Sequence, residues 1–202
     1  MRRIGALIFP GFELLDVFGP MEMFGKLEDD FSLELVAETA GAIGSGQTLS
    51  AQADKTIDDA GPYDILFIPG GIGTRREVGN AALLQWIAKM SETADFTLSV
   101  CTGSALLAKA GLLDGRRATT NKAAFSWVCQ QGLKVQWVPK ARWVEDGQFL
   151  TSSGVSAGMD MTLRAIAIMH GTDTAETVAA TCEYDWHQDS DWDPFAKLHG
   201  LA

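Results

Sequence analysis

Ile4 to Phe9 is an unbroken apolar run closed by Pro10-Gly11, the pattern of a strand buried on both faces. Glu13 to Leu27 then sets Leu14, Leu15, Phe18, Met21 and Phe24 at helical spacing. Gly19-Pro20 is expected to kink or divide that helix. Ser32 to Ala37 alternates as a second strand. Gln47 to Ala53 reads as a short edge piece after turns marked by Gly41, Gly44 and Gly46. Asp64 to Ile68 is another buried run, ended by Pro69-Gly70-Gly71, and Asn80 to Ala94 reads as a helix. Phe96 to Val100 is short, apolar and β-rich, and it runs directly into Cys101-Thr102-Gly103-Ser104. Ser104 to Ala110 has helical composition, and Gly111 suits its C-terminal cap.

Ala118 to Thr120 is expected as a short strand and Lys122 to Gln131 as a helix. Val135 to Trp137 and Ala141 to Val144 read as strands. Glu145-Asp146-Gly147-Gln148 turns back into Phe149 to Thr151. Gly154 to His170 and Thr174 to Cys182 are the last expected helices. Strands alternating with helices imply an α/β fold with a mainly parallel sheet covered on both faces. No linker or repeat interrupts the pattern. One domain is expected over residues 1–202, with a core at about 1–182 and an irregular, polar and aromatic tail at 183–202.

The 202 residues are 47% hydrophobic and 21% charged, ordinary for one well-buried core. The net charge is −10, from 26 acids against 16 bases. Such a surface is repelled by nucleic-acid phosphates and anionic membranes, so neither is expected as a partner. No apolar stretch reaches membrane-spanning length. Met1-Arg2-Arg3 and the first apolar run read as a strand and not a signal peptide, so the expected compartment is the cytoplasm. Cys101, Cys129 and Cys182 are odd in number and widely spaced, which argues against a disulfide framework. His170, His187 and His199 are scattered, and no metal site is expected.

Leu98 to Ser104 carries the chemistry. A buried strand ends, one nucleophilic residue follows, and a helix begins within two residues. On such a turn the sulfur projects from the carboxyl end of the sheet, where open α/β sheets bind ligands. A nearby helix N-terminus is expected to favour the thiolate, and the amide of Thr102 to face an anion. A buried, inert cysteine remains an equal reading of the local sequence; for Cys129 and Cys182 it is the favoured one. The Gly70-Gly71-Ile72-Gly73 stretch lets backbone approach a substrate, and it matches no nucleotide-binding fingerprint. Asp16 follows the first strand and is expected to point inward with a raised pKa, as a proton donor. Electrostatic support of the helix start by Glu13 and Asp16 is the competing reading.

Ile4–Phe9 with Glu13–Asp16, Phe67-Ile68-Pro69-Gly70-Gly71, Ser99-Val100-Cys101-Thr102-Gly103 and Leu112-Leu113-Asp114-Gly115-Arg116-Arg117-Ala118-Thr119-Thr120 stand in this order. The set resembles the ThiJ/PfpI superfamily, relatives of the class I glutamine amidotransferase domain, over roughly residues 1–182. Within that superfamily it looks most like the isonitrile hydratase branch and the related amidase-like domain of certain transcription factors. The resemblance implies a flavodoxin-like three-layer sandwich with a cysteine nucleophile elbow, a homodimer, a small-molecule substrate and no cofactor. It implies Cys101 as nucleophile, Asp16 as acidic partner, and the amides of Gly71 and Thr102 as oxyanion donors. Gly70, Ile72, Asn121 and His187 are expected around the pocket.

Two positions depart from that pattern. Thr102 stands where the protease branch has a histidine, which argues against peptidase activity. Asn121 stands where many relatives have one after the Thr-Thr pair. The implied reaction is hydration of an isonitrile to a formamide, with Asp16 supplying a proton to nitrogen. Glyoxalase or deglycase chemistry on small oxoaldehydes is the enzymatic alternative. A cysteine redox sensor, or a ligand-sensing domain without a DNA-binding half, is the non-enzymatic one.

Overall fold

The computed structural model describes residues 1–201. In chain order the elements are β1 Arg2–Leu7, α1 Leu14–Gly25, β2 Phe31–Ala37, β3 Gly41–Gly44, β4 Ser50–Ala53, β5 Lys55–Thr56 and β6 Ile65–Ile68. Then come α2 Thr74–Glu77, α3 Ala81–Thr93, β7 Phe96–Ser99, α4 Gly103–Lys109, β8 Arg117–Ala118, α5 Phe125–Cys129 and β9 Gln136–Trp137. The chain closes with β10 Trp143–Asp146, β11 Phe149–Ser152, α6 Ala157–His170, α7 Thr172–Thr181 and α8 Pro194–Leu198.

Seven strands form one sheet in the order β10-β11-β7-β6-β1-β2-β5. All its pairings are parallel except the β10–β11 hairpin. The central strands carry no exposed face: Ile4, Leu7, Ile65, Leu66, Phe67, Ile68 and Leu98 are fully buried between the two helical layers. That double burial is why these segments read as apolar runs and not as alternating patterns. No helix among the described residues is long and apolar enough to cross a membrane.

The chain leaves β1 toward β2 on one side, whereas β6, β7 and β11 build outward on the other. The order therefore reverses between β1 and β6, and a crevice opens there at the carboxyl ends of the strands. Four connections converge on this edge: Phe9–Glu13 after β1, Pro69–Gly73 after β6, Cys101–Thr102 after β7 and Ser153–Ser156 after β11.

Three expectations change. Helix α1 runs unbroken through Pro20. Gly19 serves packing instead, because a Cβ there would stand 2.8 Å from the side chain of Met159 on α6. The glycines at 41 and 44 belong to a strand, β3, which pairs antiparallel with β4. The tail is not irregular throughout. It contains α8, capped by Asp193, whose Oδ1 accepts from the Phe195 amide at 2.9 Å.

Candidate active site

The geometry starts at Cys101. Strand β7 ends at Ser99, α4 begins at Gly103, and Cys101 turns the corner with φ of 57°. A side chain in this left-handed region costs about 1–2 kcal/mol, so neighbouring bonds must hold it. The Cys101 amide donates to Ser153 O at 3.1 Å, and the Thr120 hydroxyl donates to Cys101 O at 2.9 Å. Glycines let the β6 turn press against the elbow. A Cβ on Gly103 would lie 2.4 Å from Ile68 O, and one on Gly70 would lie 2.6 Å from the Thr102 nitrogen and 2.8 Å from Cys101 Cβ.

Asp16, in the first turn of α1, is fully buried against this elbow. Its Oδ2 accepts from the Gly70 amide at 2.9 Å, while Oδ1 is buried without a protein partner. Burial pushes its pKa from 3.8 up to about 7. The Gly70 amide and the Cys101 thiol oppose that rise, and the Glu13 charge adds to it. Asp16 is thus a proton exchanger poised near neutrality beside a sulfur.

Cys101 itself departs from expectation. It is only 7% exposed, and burial pushes its thiol pKa well up, with the negative charge of Asp16 adding to the rise. The Thr102 amide and hydroxyl act in the opposite direction and do not win. The resting group is a thiol held beside a carboxyl, not a free thiolate.

Gly71 does not present a free donor. Its amide donates to the Thr102 hydroxyl at 3.1 Å, and its carbonyl accepts from the Thr74 hydroxyl at 2.8 Å. With φ of 120°, and Gly11 O only 2.4 Å from where a Cβ would be, Gly71 locks the β1 and β6 turns together. The Thr102 amide remains directed at the Cys101 sulfur.

The DJ-1/PfpI family pattern matches residues 2–168. The chain belongs to the DJ-1/PfpI family. It is 34% identical to an isonitrile hydratase of Pseudomonas putida, over 90% of this chain and 78% of that one. It is 28% identical to a deglycase of Pyrococcus horikoshii, over 62% of this chain and 75% of that one. Among solved structures, a ThiJ/PfpI family protein from Pseudomonas syringae superposes with a TM-score of 0.81 at 31% identity, over 91% of this chain and 75% of that one. The DJ-1/PfpI fold accounts for the flavodoxin-like sheet order and the elbow.

The other expected pocket residues divide. Gly70 is the clamp on Asp16, and the Ile72 side chain is 62% exposed. Asn121 caps the turn before α5, its Oδ1 accepting from the Ala124 amide at 3.0 Å. It lines a cavity of about 230 Å³ on the β11 side of the elbow. His187 does not line that cavity. Its amide donates to Asp160 Oδ1 at 2.9 Å, and its ring lies 4.2 Å from that of Trp192. No cluster of His, Cys, Asp and Glu among the described residues could hold a metal.

Sequence reasoning missed the β11–α6 turn. Ser153 fixes the elbow amide, and Val155 adopts φ of 46°. A β-branched residue gives no local hint of that conformation.

Proposed function

We propose that this DJ-1/PfpI protein hydrates isonitriles, with Cys101 as covalent nucleophile and Asp16 as proton carrier. The observation that carries the proposal is the buried pair itself. A carboxyl with a pKa of about 7 shares its site with a thiol that burial keeps protonated, so proton transfer and sulfur attack are coupled. The similarity to the Pseudomonas putida hydratase supports the choice of substrate.

The proton belongs on carbon and not on nitrogen, because the lone pair of R–N≡C sits on the terminal carbon. Ionised Asp16 takes the S–H proton and delivers it to that carbon as sulfur bonds to the same atom. The product is a thioformimidate, R–N=CH–S–Cys101. Water then adds across C=N: its oxygen bonds to carbon, and one proton passes to nitrogen through Asp16. The C–S bond breaks, the remaining hydroxyl proton returns to sulfur, and R–NH–CHO leaves. The atoms balance as R–NC plus water, with no cofactor. The Thr102 amide, directed at the sulfur, steadies the charge that forms there.

The similarity to a deglycase favours one second reading, thiol chemistry on small oxoaldehydes. That reaction needs a base to move a C–H proton, a task left to Asp16 alone because Asn121 offers no imidazole at the position where many relatives carry histidine. One panel separates the readings. The protein is incubated with methyl and benzyl isocyanide and with methylglyoxal, and formamide and lactate are quantified. Formamide formation supports the hydratase. Lactate without formamide selects the alternative, and neither product points to a non-catalytic thiol.

A further inference from the structure

The geometry points to the C-terminal segment Asp193–His199 as the wall that selects the substrate's R group, an assignment that rests on the hydratase reading for the identity of the substrate. The cavity of about 230 Å³ lies between the ends of two elements that grip the elbow. Ser153, whose carbonyl binds the Cys101 amide at 3.1 Å, lines it, followed by Gly154 and Val155. Thr120, whose hydroxyl binds the Cys101 carbonyl at 2.9 Å, leads directly into lining residue Asn121. Cys101 and Asp16 do not themselves line the cavity; two main-chain bonds connect it to the elbow, and a group attached at Cys101 would extend into it on the β11 side.

Two features show that the cavity is built and not incidental. Gly154 has no side chain where Asn121 Nδ2 lies, and a Cβ there would stand 2.3 Å from it. Val155 is held in the left-handed region, a conformation that costs a β-branched side chain energy and persists only where surroundings enforce it.

The tail closes the far side. Phe195 and His199 line the cavity. Their position is pinned by Asp193, whose Oδ2 lies 3.7 Å from Lys122 Nζ, both side chains being essentially fully buried. Lys122 is further tied to Ala141 O at 2.6 Å and to the Thr119 hydroxyl at 2.8 Å. A second buried pair, Arg142 with Asp160, anchors the segment leading to α8: Asp160 also receives the Tyr184 hydroxyl at 3.0 Å and the His187 amide at 2.9 Å. Burying two ion pairs to hold an otherwise exposed segment is costly unless its position matters. Phe195, half exposed at 50%, lines the cavity without belonging to the core. The occupant that fits is a compact aryl or alkyl group, with the Asn121 amide available to a polar atom at its rim.

Phe195→Ala tests this with little risk to folding. For benzyl isocyanide we expect kcat/KM to fall about tenfold, the size expected when an aromatic contact is lost. For methyl isocyanide it stays within twofold, and Phe195→Tyr restores the benzyl value. Equal effects on both substrates, or none, overturn the assignment. A second arm does not depend on the hydratase reading. The rate of Cys101 alkylation, followed by peptide mass spectrometry, is compared for iodoacetamide and its N-benzyl derivative. Phe195→Ala should slow the benzyl reagent several-fold relative to iodoacetamide. An unchanged ratio refutes the wall even if no isonitrile is turned over; a changed ratio without formamide upholds the wall and refutes only the substrate.

Discussion

Asp16→Asn should make the protein more stable at alkaline pH and less stable at acid pH. A carboxyl moved from 3.8 when unfolded to about 7 when folded binds its proton more tightly in the folded state. Stability therefore falls as pH rises from about 4 to 7. Above 7 both states are ionised, and the folded state carries the whole penalty, about 4 kcal/mol. Cys101 adds no slope there, because its thiol is protonated in both states at those pH values. Asparagine removes the ionisation. Its oxygen keeps the Gly70 amide, but its Nδ2 replaces an oxygen that already lacks a partner. That leaves a cost of about 1–3 kcal/mol at every pH. The variant should thus exceed wild type by about 1–3 kcal/mol at pH 8 and trail it by a similar amount at the acid end, crossing between about pH 4.5 and 6. Urea unfolding of both proteins at pH 4.5, 5.5 and 8 measures the difference. A difference that stays constant across pH would refute a buried Asp16 with a raised pKa.

Alkylation of Cys101 should keep accelerating above pH 9, and Asp16→Asn should move that rise to lower pH by removing a negative charge; a rate already flat at pH 7 in wild type contradicts the buried-thiol account. Gly70→Ala should cost roughly 2–4 kcal/mol in urea unfolding, since the new methyl strikes the backbone of Thr102; a loss below about 1 kcal/mol means the turn is not clamped. A homodimer is expected at micromolar concentration, with Leu15 and Phe18 of α1, each more than 40% exposed, as its apolar contact; sedimentation as a monomer would dismiss it.

The sheet was legible because its central strands are buried on both faces: Ile4–Phe9 and Ile65–Ile68 contain no polar residue. The elbow was legible from residue order, because Val100-Cys101-Thr102-Gly103 puts one nucleophile between a strand and a helix, although the local sequence left an inert cysteine as an equal reading. Asp16 is inward as expected, but not on the expected face: Leu15 and Phe18, which were to pack beside it, are each more than 40% exposed, and the buried apolar residues of α1 include Val17, Met21, Met23 and Phe24. What the sequence hid depends on packing between distant segments. Nothing local says that the Gly71 amide is taken by Thr102, or that burial outweighs the helix N-terminus at Cys101. The tail read as irregular because its order comes from buried partners on other elements, Lys122 and Asp160, and not from its own periodicity. Pro20 misled for a related reason: tertiary contacts with α6 keep α1 continuous through it.

The central claim is that Cys101 and Asp16 together turn an isonitrile into a formamide. The measurement that tests it most directly is the initial rate of N-benzylformamide formation from benzyl isocyanide, taken at pH 7 for wild type, Asp16→Asn and Cys101→Ser. The account predicts formamide from wild type, a loss of roughly 10²-fold or more in Asp16→Asn, and background in Cys101→Ser. Formamide from Cys101→Ser at the wild-type rate, or none from wild type, would contradict it.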